Sequence, residues 1–310
     1  MVNILLFPGQ GAQKVGMARD LADRFDEARQ CLESIDDALG FSLTRIMWEG
    51  PEDELLLTHN AQPAILAHSA AVLAVVKASL GSVAGAAGHS LGEYSAYLAA
   101  GALEATEAAK LVRRRGELMN QAGADRPGSM AAVLGLDGAR VAECCREAST
   151  EAAVVVAANL NAPDQTVVSG DPVAVGRAGE FCKAAGAKRV LALKVSGAFH
   201  SPLMAGAGPG LARALDQAAM RDPAFPVIAN ASAAAVRTAA AARQLLTDQL
   251  TAPVRWVECV RALDREANGQ PARFLEIGPG SVLSGLVKRI LPGAQCISLG
   301  TTADLERFLG

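Results

Sequence analysis

Gly88-His89-Ser90-Leu91-Gly92 holds the serine best placed to do chemistry. It lies between a short apolar run, Val83–Ala87, and a helix expected to begin near Ser90. A tight strand-to-helix turn of this kind, a nucleophile elbow, pushes the serine hydroxyl outward. It leaves room only for small residues two before and two after the serine, and both are glycine. A helix start also offers free backbone N–H groups that favour negative charge. The plainer reading of G-x-S-x-G is a simple turn, but the strand–turn–helix setting favours a nucleophile.

Other segments supply possible partners. Phe7-Pro8-Gly9-Gln10-Gly11-Ala12-Gln13 directly follows the first expected strand. It is not a nucleotide loop: position 14 is not glycine, and no Gly-Lys-Ser/Thr follows. It reads either as a Gly-rich turn or as the source of a backbone N–H, at Gln10, forming half of an oxyanion hole. In Ser196-Gly197-Ala198-Phe199-His200-Ser201-Pro202, His200 lies in a loop between a strand and a capped helix. Catalytic residues tend to occupy such loops, and a hydrolase base also follows its serine in sequence. No acid before His200 stands out as a third member, and Asp216 and Asp222 fall outside the usual order. Arg113-Arg114-Arg115 occupy successive positions of an expected helix. Successive positions point about 100° apart, so the three arginines cannot share one solvated face. An arginine turned inward has the fork geometry to hold a carboxylate.

These segments need elements to hold them. Strands are expected at Ile4–Phe7, Val83–Ala87, Val227–Ala229, Phe274–Ile277 and Gln295–Leu299. Met17, Leu21, Phe25, Ala28, Leu32, Ile35 and Leu39 recur at steps of three and four, which predicts one amphipathic helix. Helices are also expected at about Glu104–Gln121, Ala240–Leu250, Val257–Arg265 and Val282–Leu291. The middle of the chain runs strand Met130–Gly135, helix Asp137–Ala148, strands Val154–Ala158 and Thr166–Ser169, a helix opened by Asp171-Pro172, and strand Arg189–Val195. That β-α-β-β-α-β order is the ferredoxin-like unit. The expectation is an α/β protein. Residues 1–125 and 197–310 would form a large hydrolase-like domain carrying the elbow, with 126–196 inserted as a small ferredoxin-like subdomain.

Composition narrows the function classes. The chain has 310 residues, about half apolar, and a formal charge of −3 from 29 basic and 32 acidic residues. That balance gives no nucleic-acid footprint. Six cysteines form no C-x-x-C pair and read as small buried hydrophobes in a reducing compartment. The four histidines lack metal-ligand spacing, so no metal is expected. Met1–Phe7 does not read as a signal peptide. The apolar stretch Ala61–Val76 is interrupted by Gln62, Pro63, His68 and Ser69 and is shorter than the about 20 residues a bilayer span needs. It predicts a buried helix, no membrane association and a cytoplasmic location.

Together these residues resemble the malonyl-CoA:acyl carrier protein transacylase family of type II fatty acid synthesis. The resemblance runs along the whole chain: FPGQGAQ at Phe7–Gln13, QPAILA at Gln62–Ala67, GHSLGEY at Gly88–Tyr94, and RRG at Arg114–Gly116. It continues with AANLNAPDQTVVSG at Ala157–Gly170, GAFHSPLM at Gly197–Met204, QLTAPVRW at Gln249–Trp256 and EIGPG at Glu276–Gly280. Acyltransferase domains of polyketide synthases share most of these motifs.

The resemblance implies roles. Ser90 would be the nucleophile and His200 its base, with the backbone N–H groups of Gln10 and Leu91 as the oxyanion hole. Arg115 would clamp the malonyl carboxylate. The backbone carbonyl of Gln249 would orient His200 in place of an aspartate, leaving the Gln249 side chain without a role. Asn159, Asn161 and Phe199 would line the substrate, Gln62 and His89 would either line it or support it structurally, and Lys188 and Arg189 would help dock the carrier. Gly197–His200 resembles the malonyl-selective form of its loop. The implied activity is ping-pong transfer of malonyl from malonyl-CoA to the phosphopantetheine thiol of acyl carrier protein. The implied enzyme is a monomer that needs no cofactor. A thioesterase and a catalytically silent carrier-binding scaffold are the rival readings.

Overall fold

The computed structural model describes residues 1–310. Ten strands build two sheets. In chain order they are β1 (Val2–Phe7), β2 (Val83–Gly88), β3 (Ser129–Leu134), β4 (Val155–Ala162) and β5 (Gln165–Gly170). Then follow β6 (Arg189–Ala192), β7 (Val227–Ile228), β8 (Ala235–Val236), β9 (Ala272–Ile277) and β10 (Gln295–Leu299).

The larger sheet has the order β10-β9-β1-β2-β7-β8. Its first five strands are parallel, and β8 runs antiparallel to β7. Every residue of β1 is buried, as expected for a parallel strand covered on both faces. Phe7 pairs in register with Gly88. The Pro8–Gln13 turn and the Gly88–Gly92 turn therefore leave the carboxyl ends of adjacent strands, where open parallel sheets bind ligands.

The helix Thr58–Val76 forms the centre of the large core. It begins three residues before the apolar run. With the short turn Lys77–Ser79 it is long and apolar enough, by length and composition, to cross a membrane. Here it is buried on nearly every side, against the helices Asp26–Leu39 and Ala105–Asp125. A helix apolar all round belongs in such a core. Pro63 inside it has no N–H, so the His59 carbonyl loses its helical donor. Arg113 supplies one instead, its Nη1 lying 3.0 Å from that oxygen.

The middle of the chain forms the second sheet, β4-β5-β3-β6, with all neighbours antiparallel. Two helices, Gly138–Ala148 and Pro172–Ala184, cover it and enclose a separate small core. Both begin as their sequences predict. Asp137 Oδ1 accepts from Ala139 N at 2.9 Å, and Asp171 Oδ1 accepts from Val173 N at 2.9 Å with Pro172 in the first turn. Strand β4 is tied to the large part of the chain through Val254: Leu160 N donates to its carbonyl at 2.9 Å, and its own N–H reaches Ala158 O at 2.8 Å.

Some expectations need correction. The single helix expected over Met17–Leu39 is two, Arg19–Arg24 and Asp26–Leu39. Phe25 between them is extended, at φ −122° and ψ 120°. Asp26 and Glu27 open the second helix, where its dipole favours acids. The periodic residues still face inward, so spacing reveals the buried side but not a break of one residue. The strand expected to reach Val195 stops at Ala192, and β4 extends to Ala162 instead of Ala158. The helix at Ser201-Pro202 starts as a tighter 3₁₀ turn, Pro202–Ala207, before Gly208–Gln217. Strand β8 lies in an Ala-rich stretch that carries no pattern. The helices Leu43–Glu49, Glu52–Leu56 and Thr302–Leu309 had no prediction. All six cysteines are free, four of them buried.

Candidate active site

Ser90 occupies a strained position with φ at 53°, in the left-handed region. Its flanking glycines are obligatory. A Cβ on Gly88 would sit 1.8 Å from the Gly92 carbonyl carbon, and one on Gly92 would sit 2.2 Å from Phe7 O. Asn230, just beyond β7, braces the turn. Its Oδ1 accepts from Ser90 N at 2.7 Å, and its Nδ2 donates to Gly88 O at 2.8 Å.

The hydroxyl meets two partners. Ser90 Oγ lies 2.8 Å from His200 Nε2, and Arg115 Nη2 donates to the same oxygen at 3.1 Å. His200 Nδ1 lies 2.9 Å from Gln249 O. A carbonyl only accepts, so Nδ1 carries the proton and Nε2 is left to accept from the serine. Burial, and then the positive charge of Arg115, push the imidazole down to about 3, against an opposing pull from the Gln249 carbonyl. His200 is therefore neutral at physiological pH. His200 itself sits at φ 57°, a second non-glycine residue held in the left-handed region.

Only one of the three successive arginines turns fully inward. Arg114 is exposed and pairs with Glu117. Arg113 is half-buried, bonded to Glu117 and Asn60. Arg115 is 1% exposed. Its Nη1 donates to Gln62 Oε1 at 2.7 Å and its Nη2 to Gln249 Oε1 at 2.9 Å. It makes no salt bridge, and its Nε has no partner. A buried guanidinium held only by neutral oxygens at a cavity wall has the donors and the charge for a small carboxylate.

A cavity of about 510 Å³ opens onto Ser90 between the two sheets. Gln10 and Leu91 line it, and neither backbone N–H donates to an acceptor within the protein. His89, Asn159, Asn161 and Phe199 line it too, with His89 Nε2 2.8 Å from Asn161 Oδ1. Burial holds the His89 imidazole below its usual range. Gln62 does not line the cavity. It is fully buried behind Arg115, where it can support the guanidinium but not meet a ligand. Lys188 and Arg189 are exposed at the start of β6 and outside the cavity. No group of His, Cys, Asp and Glu side chains gathers in a metal-ligand arrangement.

The largest correction concerns Gln249. Its side chain, expected to be idle, accepts from Arg115 and donates to Ser90 O at 3.0 Å and to Glu93 Oε2 at 2.8 Å. Glu93 and Asn230 were missed altogether. Glu93 had a visible signal: it is the one charged residue of the helix after the elbow, Gly92–Ala99. Asn230 had none, because its role depends on β7 lying beside β2.

The acyl transferase domain family matches residues 4–306. The malonyl CoA-acyl carrier protein transacylase of Bacillus subtilis is 42% identical, over 97% of this chain and 94% of that protein. This chain belongs to that family. Among solved structures, an acyl carrier protein S-malonyltransferase from Vibrio cholerae superposes with a TM-score of 0.94 at 40% identity, covering 99% of both chains. A malonyl-transacylase solved in complex with its type II PKS acyl-carrier protein gives 0.94 at 40% identity, over 100% of this chain and 99% of that one. The protein is thus an acyltransferase.

Proposed function

We propose that this acyltransferase moves a malonyl group from malonyl-CoA to the phosphopantetheine thiol of an acyl carrier protein, through a malonyl-serine on Ser90. His200 Nε2 takes the Ser90 proton as Oγ attacks the thioester carbon. The carbonyl oxygen becomes an oxyanion held by the Gln10 and Leu91 N–H groups. The intermediate collapses, the C–S bond breaks, and CoA leaves as a thiol with the proton from His200. The carrier thiol then attacks the malonyl-serine, its proton passing through His200 back to Ser90. No redox or metal step is required.

The observation that carries this reading is Arg115: a buried cation on the cavity wall, touching the nucleophile, with no carboxylate paired to it. An unpaired buried charge is costly, and the free carboxylate of malonyl supplies the missing partner. It does more than bind. Arg115 is one cause of the low basicity of His200. Neutralising the guanidinium raises that basicity, so the substrate itself improves the base.

The fold reads as a hydrolase-like domain over residues 1–125 and 197–310 with a ferredoxin-like insert at 126–196. The β-α-β-β-α-β order and the β4-β5-β3-β6 arrangement of the insert support this division. The carrier partner is supported by the relatives' names, including the one solved with its acyl-carrier protein. A cytoplasmic monomer without a cofactor completes the reading.

The test is intact-protein mass spectrometry after mixing with malonyl-CoA. The wild type should gain one malonyl, lose it to added holo-carrier, and show no adduct as Ser90→Ala. Free malonate with no transfer would make the protein a thioesterase. An adduct on the alanine variant would place the nucleophile elsewhere.

A further inference from the structure

Glu93 is fully buried one helical turn beyond Ser90. Its Oε2 accepts two donors, Asn230 N at 2.9 Å and Gln249 Nε2 at 2.8 Å, while Oε1 has none. Each donor residue leads back to the reacting groups. Asn230 holds the Ser90 N–H. Gln249 holds His200 through its backbone carbonyl and Arg115 through its side-chain oxygen. One carboxylate thus stands behind nucleophile, base and clamp, always one residue away.

We propose that Glu93 is the displaced acid of this site, a positioning residue that acts through Gln249 to support His200 and Arg115 at once. The inference rests on the Ser90–His200 reading above. Proton transfer from Ser90 turns His200 into a second cation beside Arg115, both of them buried. On the cavity side the malonyl carboxylate and the oxyanion answer these charges; on the protein side Glu93 is the buried carboxylate linked to both cations through Gln249. A carboxylate bonded directly to Arg115 would occupy the donors that the substrate needs. An intervening amide solves this: Gln249 passes the carboxylate's influence to both cations and leaves the cavity edge of the guanidinium open. Glu93 supports the site in its ionised form and relays no proton in the cycle.

Burial pushes the Glu93 carboxyl up to about 7, opposed by its bonds from Asn230 and Gln249 and by the charge of Arg115. The other ionisable groups facing it are Tyr94 and Tyr97 on its own helix and Cys259 on the helix Trp256–Glu266, with His200 beyond Gln249. Burial raises the pKa of all three facing groups, which keeps them neutral near pH 7. A carboxyl with a raised folded pKa favours the fold when protonated, and that contribution is lost as pH rises through about 7.

Glu93→Gln keeps the shape and an oxygen for both donors but removes the charge. Initial rates with malonyl-CoA and acetyl-CoA, pH profiles and melting temperatures would be measured on the full chain. The variant is expected to lose about tenfold or more in kcat for both substrates, the scale of a lost charge-assisted contact, with KM not raised. At pH 8 it should melt higher than the wild type, with the gap closing towards pH 5. The wild type should show a fall in kcat as pH drops through about 7, absent in the variant. The wild-type limb can be read even if the variant folds poorly. Wild-type kcat in Glu93→Gln, or lower kcat together with a lower melting temperature at pH 8, would overturn the proposal. The serine adduct separates this from failure of the underlying reading, because Glu93→Gln should still form it slowly whereas Ser90→Ala forms none.

Discussion

On the large-sheet side of the cleft, Arg115, His200, Gln249 and Glu93 are all buried and bonded to one another or to the elbow backbone. On the small-sheet side, Leu193 and Lys194 line the same cavity while remaining exposed, and Lys188 and Arg189 are exposed outside it. The first wall holds atoms in place. Its side chains have lost their freedom before substrate arrives, so little reorganisation is left for the reaction. The second wall presents charge and apolar surface to whatever approaches. The contrast predicts where substitutions act: on chemistry for the first wall, on encounter for the second.

The largest effect is expected at His200. His200→Ala should lower kcat by about 10²–10⁴, the usual contribution of general acid–base catalysis. Both half-reactions should fall together, since on the proposed route each passes its proton through Nε2. Stopped-flow acylation and transfer to carrier, measured separately, check this. A loss confined to one half-reaction would mean that a second base serves the other.

Arg115 sharpens the comparison by separating substrates. Arg115→Ala should lose about 2–5 kcal/mol of transition-state binding for malonyl-CoA, the cost of breaking a buried charge pair. It should gain, relative to that, on acetyl-CoA, because no unpaired cation then opposes a neutral acyl group. Arg115→Lys should restore malonyl activity only partly, since an ammonium lacks the planar fork that meets Gln62 and Gln249 together. The ratio of kcat/KM for the two substrates is the measurement. An equal loss on both would make the arginine structural.

The same contrast explains what was legible beforehand. Ser90, His200 and Gln10 declare themselves through local signals: a glycine pair, a loop after a strand, a turn after a strand. The caps Asp137 and Asp171 are local as well, and both act where expected. The support behind them is not local. Gln249 is 159 residues from the Ser90 carbonyl it holds, and Asn230 is 140 residues from the Ser90 amide. No spacing rule reaches that far. Gln62 shows a different gap: a motif can place a residue near the site without saying whether it faces the cavity or, as here, supports Arg115 from the core. The break at Phe25 and the short strand β8 escaped because each changes only one or two residues.

The smallest effect is expected on the open wall. Lys188 reaches the surface over Gly135, where an added Cβ would lie 2.6 Å from the lysine Cγ, so its stem is packed while its ammonium is free. Arg189 follows it on the edge strand β6. Both are basic, and carrier proteins of this kind are usually acidic, so the pair should steer docking. Exposed charges contribute little to bound-state energy but alter the rate of encounter, and salt screens them. Lys188→Glu combined with Arg189→Glu should slow transfer to carrier by about 3–10-fold at low ionic strength, with the deficit shrinking as salt rises. Acylation by malonyl-CoA should stay at the wild-type rate, because neither side chain lines the cavity. If both half-reactions fell equally, the pair would be acting on the fold of β6 and not on the carrier. The small-sheet wall would then share the positioning role of its counterpart.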